Sequence, residues 1–448
     1  MPDASSRSAL IPDLPLEDLG CAAILAFFAM QGAIPFIAPN QALESTQTAA
    51  SGLIFYGGIA SQVVVYGAIL ILLLLNAQRL IRWGGAMQWT AALSIVAVAS
   101  TLWSQFPLLT LRRSLPFALA GFFGLYFAVR FPVRRQLSIL TMTLTALAIG
   151  STLLATCFPR IGLDASPGHH FDWQGVFTQK NACGRAMVLG TAVLLANWRL
   201  SLAKIASFIL FLFVLLMSGS RGAWAIEVML LVVCAWLALA TRIQSRSRVI
   251  FFGVTAVVVA GLTSVAFLHI PVLLTLIGRD TTLSGRIEIW KQAWRFILER
   301  PVTGWGYAAF WRGLQGHSFE VAAALRFVVF HAHNGFLEIW LELGIPGLAL
   351  FTISYLRAWR KLWPLLRSGD IRRCLWMTLF LLLIFLYNLD ENTLLTFNGL
   401  PWVLYVSVLA NIEVIAAEDR LRLLVRRTIH FRSAQQTTPD LKCPQTAS

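Results

Sequence analysis

The sequence predicts an all-α, polytopic membrane protein of about 12 transmembrane helices with one large extramembrane loop, and three observations predict it. Of 448 residues, 57% are hydrophobic and only 13% charged, where a soluble domain carries about a quarter charged residues. The mean hydropathy of +0.71 is spread over almost the whole chain rather than confined to one anchor. Apolar windows of about 18–23 residues, enough to cross ~30 Å of hydrocarbon, recur about twelve times.

In order, these windows fall near 21–39, 53–75, 84–103, 114–129, 137–157, 182–197, 201–218, 222–240, 249–269, 335–356, 374–390 and 396–414. They divide the chain into a cytoplasmic N-terminal segment (1–20), helices one to nine (21–269), a large periplasmic loop (270–333), helices ten to twelve (334–414) and a cytoplasmic tail (415–448). Orientation comes from Lys and Arg, which accumulate on the cytoplasmic side. Clusters at Arg79 and Arg82, Arg130 to Arg135, Arg242 to Arg248, Arg357 to Arg373 and Arg420 to Lys442 all fall on one side, so both termini are expected in the cytoplasm.

The net charge of +15 could suggest nucleic acid, but its distribution between apolar segments is that of a membrane protein, and no nucleic-acid partner is expected. Cys21, Cys157, Cys183, Cys234, Cys374 and Cys443 contain no CxxC pair, so neither a disulfide framework nor a zinc site is implied. The first twenty residues hold Asp3, Asp13, Glu17 and Asp18 against Arg7, which is not the basic start of a cleaved signal peptide.

Within the long loop, Ile287, Trp290, Trp294 and Ile297 repeat at helical spacing from an N-cap at Ser284 to Glu299. The pattern predicts a helix lying on the membrane surface with its Trp face down.

Ionisable groups at membrane depth are costly, so those without an orienting role are functional candidates. On the outer side they are Arg112, Arg113, Lys180, Asn181, Arg221, Arg279, Arg286, His331, His333, Asn334, Glu338 and Glu342. Ser218-Gly219-Ser220-Arg221-Gly222 is a tight turn into a helix, and free N–H groups beside a guanidinium suit phosphate. The plainer reading has Arg221 snorkelling to headgroups. At His331-Ala332-His333-Asn334 a half-desolvated imidazole can take a proton from a sugar hydroxyl, with a neighbouring carboxylate to orient it. The plainer reading is a His capping the next helix. Lys180 and Asn181, opening a membrane segment, can contact phosphate or sugar. Two His without nearby Cys or Asp make a weak metal case, and Asp164, His169, His170 and Asp172 read as a solvated loop. No metal and no cofactor is expected.

His333-Asn334 followed, nine residues on, by Gly344-Ile345-Pro346-Gly347 resembles the signature of the bacterial O-antigen ligase and O-antigen polymerase superfamily. Ser220-Arg221-Gly222, and Arg286-Ile-Glu-Ile-Trp290 before Pro301-Val-Thr-Gly304-Trp-Gly306, are similar to its other shared features. The stretch Gly175 to Arg185 is closer to the exopolysaccharide-production branch. The resemblance implies a GT-C-like bundle and a metal-independent inverting glycosyltransferase of the inner membrane. It would act at the periplasmic face on undecaprenyl-diphosphate-linked oligosaccharide and a glycan acceptor, among membrane lipids and with a chain-length regulator protein as a further partner. Arg221, Arg286 and His333 would be its catalytic residues. Lys180, Asn181, Asn334, Glu338, Arg279 and Arg112 are expected to bind substrate. A donor that already carries its leaving group needs no nucleotide, so the lack of a P-loop or GxGxxG pattern is in keeping. Ligation to lipid A-core and flipping of lipid-linked sugar are the competing activities. A transporter would show inverted repeats and polar helix breaks near the midplane, whereas here the polar residues gather on one side.

Overall fold

The computed structural model describes residues 15–32, 52–83, 85–164, 171–197, 201–244, 247–255, 257–258 and 285–436. Among them the chain is helical and without strands, apart from an isolated antiparallel bridge between Leu163 and Trp173. The principal helices are α1 (Pro15–Ala29), α2 (Gly52–Leu75), α3 (Gln88–Ala99), α4 (Pro107–Arg130), α5 (Val133–Cys157), α6 (Lys180–Ala196), α7 (Leu202–Met217), α8 (Arg221–Arg242), α9 (Arg286–Glu299), α10 (His317–Leu325), α11 (Gly335–Ser368), α12 (Ile371–Asp390) and α13 (Leu400–Gln436).

Seven stretches among the described residues are long and apolar enough to cross a membrane: Gly58–Leu75, α4, α5, α8, α11, α12 and Leu400–Leu421. Gln88–Leu102 and α7 are shorter apolar helices. The chain is a multi-pass membrane protein. The twelve expected windows thus meet seven long spans; the window at 21–39 is described only as far as α1, and most of 249–269 lies outside the described residues.

Packing explains why this sequence closes into a bundle. α4 lies along α13, and Phe117 stacks on Trp402 at 4.3 Å while the Trp402 indole N–H donates to the Phe117 carbonyl at 2.9 Å. Gln136, Ser407 and Asn411 satisfy one another in the core between α5 and α13. Ion pairs Arg130–Glu17 and Arg135–Asp18 fix α1 at one end. α6, α8 and α12 pack on one another, and their ends build the site described below.

The long loop is folded onto α11. Gly344 has φ 65° and ψ −163°, breaking the helix, a conformation open essentially only to glycine. Residues 301–306 enter that break, where Trp305 N–H donates to Leu341 O, Gly306 N–H to Glu342 O and Ile345 N–H to Pro301 O, at 2.9–3.0 Å. Carbonyls freed by the kink therefore find partners in the loop, as apolar surroundings require.

The loop helix differs from expectation. It starts at Arg286 behind a left-handed Gly285, and Ser284 lies outside the described residues. Its buried face is Ile289, Ala293, Phe296 and Ile297, packed on α10 and α11, so protein rather than membrane covers it. Trp290 donates to the Ala332 carbonyl at 2.9 Å and Trp294 meets Trp340 edge-on at 5.3 Å. These tryptophans tie the loop to α11 instead of forming one lipid-facing row.

Candidate functional site

The N-termini of α6, α8, α9 and α11 meet the C-terminus of α12. Free N–H groups and aligned dipoles make helix starts favourable to anions, so their convergence defines an electropositive pocket. Glycines allow these close approaches: a Cβ at Gly222 would sit 2.4 Å from Asp390 Oδ2 and one at Gly335 1.8 Å from Asn388 Oδ1. Arg221 is thereby held beside Asp390 yet exposed, with no ion pair or hydrogen bond among the described residues.

At the centre is Glu391, whose side chain is 2% exposed. Its Oε1 faces His333 Nδ1 at 3.2 Å, Asn181 Nδ2 at 3.3 Å and Arg286 Nη2 at 3.5 Å. Its Oε2 faces His331 Nε2 at 3.7 Å and Arg185 Nη1 at 3.9 Å. Arg286 also pairs with Asp390, and Asn181 Oδ1 accepts from the Ser220 hydroxyl at 3.0 Å. Burial works against ionising Glu391, but the hydrogen bond from His333 and the charges of His331 and Arg185 outweigh it and hold this carboxyl well below the usual carboxylate range.

The turn carrying the histidines is tightly determined. His333 sits at φ 49°, a left-handed conformation that a non-glycine residue holds only when its surroundings fix it. Its N–H donates to His331 Nδ1 at 3.2 Å, and the Ala332 N–H donates to buried Glu338 at 2.8 Å. Asn334 caps α11, its side-chain oxygen accepting from Phe336 and Leu337 N–H at 3.0 and 3.1 Å. The cap is therefore Asn334, and the His333 imidazole takes no part in it. Crowding in this pocket pushes His331 down to about 4: burial is the main cause, with His333, Arg185 and Arg286 adding to it against the pull of Glu391.

Of the residues singled out in the sequence, Asn181, Arg221, Arg286, His331, His333 and Asn334 come together here. Lys180 pairs with Asp172 at 2.6 Å on the pocket's edge. Glu338 and Glu342 are buried beneath the turn, so Glu338 meets backbone rather than open space. Arg112 is exposed on α4, which contributes nothing to the Glu391 cluster, and neighbouring Arg113 donates to the Ala308 carbonyl at 2.6 Å. Arg279, His169 and His170 lie outside the described residues.

Arg185, Asp390 and Glu391 were not anticipated. The available signal was the polar run Asn388, Asp390, Glu391, Asn392 closing an apolar helix with no cation nearby in sequence, a composition that a cytoplasmic or exposed boundary would share.

His331, His333 and Glu391 offer three donor atoms within 4.8 Å of one another, the composition of a divalent-metal site. The hydrogen bonding favours a different use. Because His331 Nδ1 accepts a backbone N–H, a neutral ring carries its proton on Nε2, the atom a metal would need. Arg185 and Arg286 already share the carboxylate and would repel a cation. The trio suits proton handling beside an anion better than metal ligation.

Residues 206–352, from α7 through the long loop to the middle of α11, match the model of the O-antigen ligase family. The chain is also 26% identical over 318 residues to the exopolysaccharide production protein ExoQ of Rhizobium meliloti (strain 1021), covering 67% of this chain and 71% of that protein. Both matches are to proteins of the O-antigen ligase and polymerase kind, to which this chain is similar. The matched region contains Arg221, Arg286, His331 and His333, whereas Asn181, Arg185 and Glu391, which complete the pocket, lie outside it.

Proposed function

We propose that this protein is a glycosyltransferase of the bacterial inner membrane that polymerises undecaprenyl-diphosphate-linked glycan repeats at the periplasmic face, in exopolysaccharide or O-antigen synthesis. The observation that carries the reading is the contact between His333 Nδ1 and Glu391 Oε1. An ionised Glu391 accepts a hydrogen bond from His333 Nδ1–H, which keeps the proton on Nδ1 and leaves the lone pair of Nε2 as a general base, the logic by which a buried acid orients a catalytic histidine. The acceptor hydroxyl oxygen attacks the anomeric carbon as its proton passes to His333 Nε2. The bond from that carbon to the diphosphate breaks, the electron pair leaves with the phosphate, and the anomeric configuration inverts. Arg221 and Arg286, with the buried Arg185 Nη1, which makes no hydrogen bond among the described residues, offer donors for the developing negative charge. Lys180 and Asn181 border the same pocket. No step requires a metal.

The similarity to an exopolysaccharide production protein favours polymerisation over ligation to lipid A-core. A chain-length regulator is a fitting partner for such a polymerase. Purified protein in nanodiscs, given undecaprenyl-diphosphate-linked repeat units, should build a ladder of longer lipid-linked products, and His333→Ala should slow it about 10²–10⁴-fold. Movement of labelled glycan across proteoliposomes with no new glycosidic bond would make the protein a transporter instead.

A further inference from the structure

At the end of the bundle away from His333, α3, α11 and α13 border an open cleft with a cavity volume of about 20 Å³, lined by Trp89, Ser354, Arg357, Leu409, Ile412 and Glu413 among others. Ser354 lies some twenty residues along α11 from the histidine turn, about 30 Å at 1.5 Å per residue, so the cleft belongs to the opposite membrane surface.

Its polar atoms are unevenly matched. The Ser354 hydroxyl donates to the Phe351 carbonyl and shares a hydrogen bond with Tyr405. Glu413 is neutralised by Lys361. Two donors remain without acceptors. Arg357 makes no ion pair or hydrogen bond among the described residues, its guanidinium resting over the Trp89 ring at 5.7 Å. The Trp89 indole N–H is buried and has no hydrogen-bond partner among the described residues. A buried donor left unmatched is costly, and a half-buried guanidinium adds to that. Both deficits are met by one ligand that brings anionic oxygens to the cleft.

We propose that this cleft binds the phosphate of an anionic glycerophospholipid from the leaflet opposite the catalytic pocket. Arg357 grips the phosphate oxygens and Trp89 donates its indole N–H, an arrangement suited to the membrane interface, where Trp and Arg both reside. Leu409 and Ile412 supply an apolar wall for the glycerol and upper acyl carbons. The Lys361–Glu413 pair leaves Arg357 as the net charge, so a singly anionic headgroup such as phosphatidylglycerol is matched and a zwitterionic one is not. The site is independent of the glycosyl-transfer reading, because it shares no residue with that pocket.

Delipidated protein in neutral detergent, titrated with phosphatidylglycerol, should show a saturable rise in Tm that phosphatidylcholine and inorganic phosphate do not reproduce. Arg357→Gln should weaken the apparent affinity about tenfold, Arg357→Lys should keep part of it, and Trp89→Phe should weaken it less. Native mass spectrometry on the same samples should show one phosphatidylglycerol retained by wild type and lost from Arg357→Gln. An equal response to phosphatidylcholine, a full response to phosphate alone, or unchanged retention in folded Arg357→Gln would each overturn the proposal. If Arg357→Gln does not fold, the outcome rests on Trp89→Phe and Arg357→Lys, and wild-type affinity in both would overturn it equally.

Discussion

Arg286 Nη2 lies 3.5 Å from Glu391 Oε1, the oxygen that meets His333 Nδ1 at 3.2 Å. A guanidinium and an imidazole thus share one buried carboxylate. Changing Glu391 perturbs both. Glu391→Gln keeps a hydrogen-bond acceptor but loses the charge that favours Nδ1–H on His333, so kcat should fall about 10²-fold or more with normal membrane insertion. Glu391→Asp should retain more activity than Gln if charge is what matters. A Gln variant with wild-type turnover and pH profile would reduce Glu391 to a packing residue.

The two arginines should separate in their effect on stability. Arg286 is paired with Asp390 and Glu391, and removing it leaves carboxylates without their counter-charge, which is strongly destabilising in buried settings. Arg221 has no such partner. Arg286→Ala should therefore lower both Tm and turnover, while Arg221→Ala should lower turnover at unchanged Tm, and Arg221→Lys should rescue it only partly, because a point charge cannot match phosphate bidentately. Full activity in Arg221→Ala would remove that residue from the site.

Much of this was legible from the chain alone, for identifiable reasons. Apolar windows and Lys/Arg spacing are local signals, and helices stand at each window within the described residues. His333 and Arg286 stood out because ionisable groups at an outer boundary are unusual. Glu391 did not, since its meaning depends on helices distant in sequence being brought to one point. Asn334 stood out for its neighbour, but the hydrogen bonds that cap α11 explain it. For α9 the periodicity marked a helix, but the face buried against protein is Ile289, Ala293, Phe296 and Ile297, while Trp294 stays exposed: helical periodicity reports a covered face, not what covers it.

Acidification should destabilise the pocket in a defined window. His331 is pushed down to about 4 from an ordinary value near 6.5, so the folded state favours the neutral ring while the unfolded chain takes up a proton below about pH 6.5. That contribution is fully present above about pH 6.5 and is lost as the pH falls toward 4. Glu391, held below its ordinary range, adds a second loss as pH drops through the usual carboxylate range. Tm measured from pH 7 to 4.5 should fall more steeply for wild type than for His331→Asn; parallel curves would contradict the assignment.

Chelation tests the alternative use of the histidine turn. With His331 Nδ1 accepting a backbone N–H and two guanidiniums on Glu391, turnover should be the same with and without EDTA. Loss of activity on chelation, restored by one divalent ion and absent in His331→Asn, would make His331, His333 and Glu391 metal ligands.

The break in α11 ties the long loop to the histidine turn, and Gly344 is where that tie can be cut. A Cβ at Gly344 would stand 2.0 Å from the Val302 carbonyl oxygen, and the backbone there has φ 65° and ψ −163°. Gly344→Ala therefore meets two obstacles at once, a conformation costing about 1–3 kcal/mol for a residue with a side chain and a collision with the inserted loop. Straightening α11 would relieve both, but it would expel residues 301–306 and break the hydrogen bonds from Trp305 and Gly306 to Leu341 and Glu342. Since Trp290 and Glu338 hold Ala332 from either side of the same packing, the His333 turn should loosen with it. The expected outcome is protein that inserts but is cleaved faster by protease within 300–306, has lower Tm and has lost transfer activity. Proline at 346 makes a useful contrast. Pro346→Ala leaves the Gly344 kink and the loop hydrogen bonds in place, so it should keep most activity, and a loss as large as that of Gly344→Ala would mean the kink is set by proline rather than by the inserted loop.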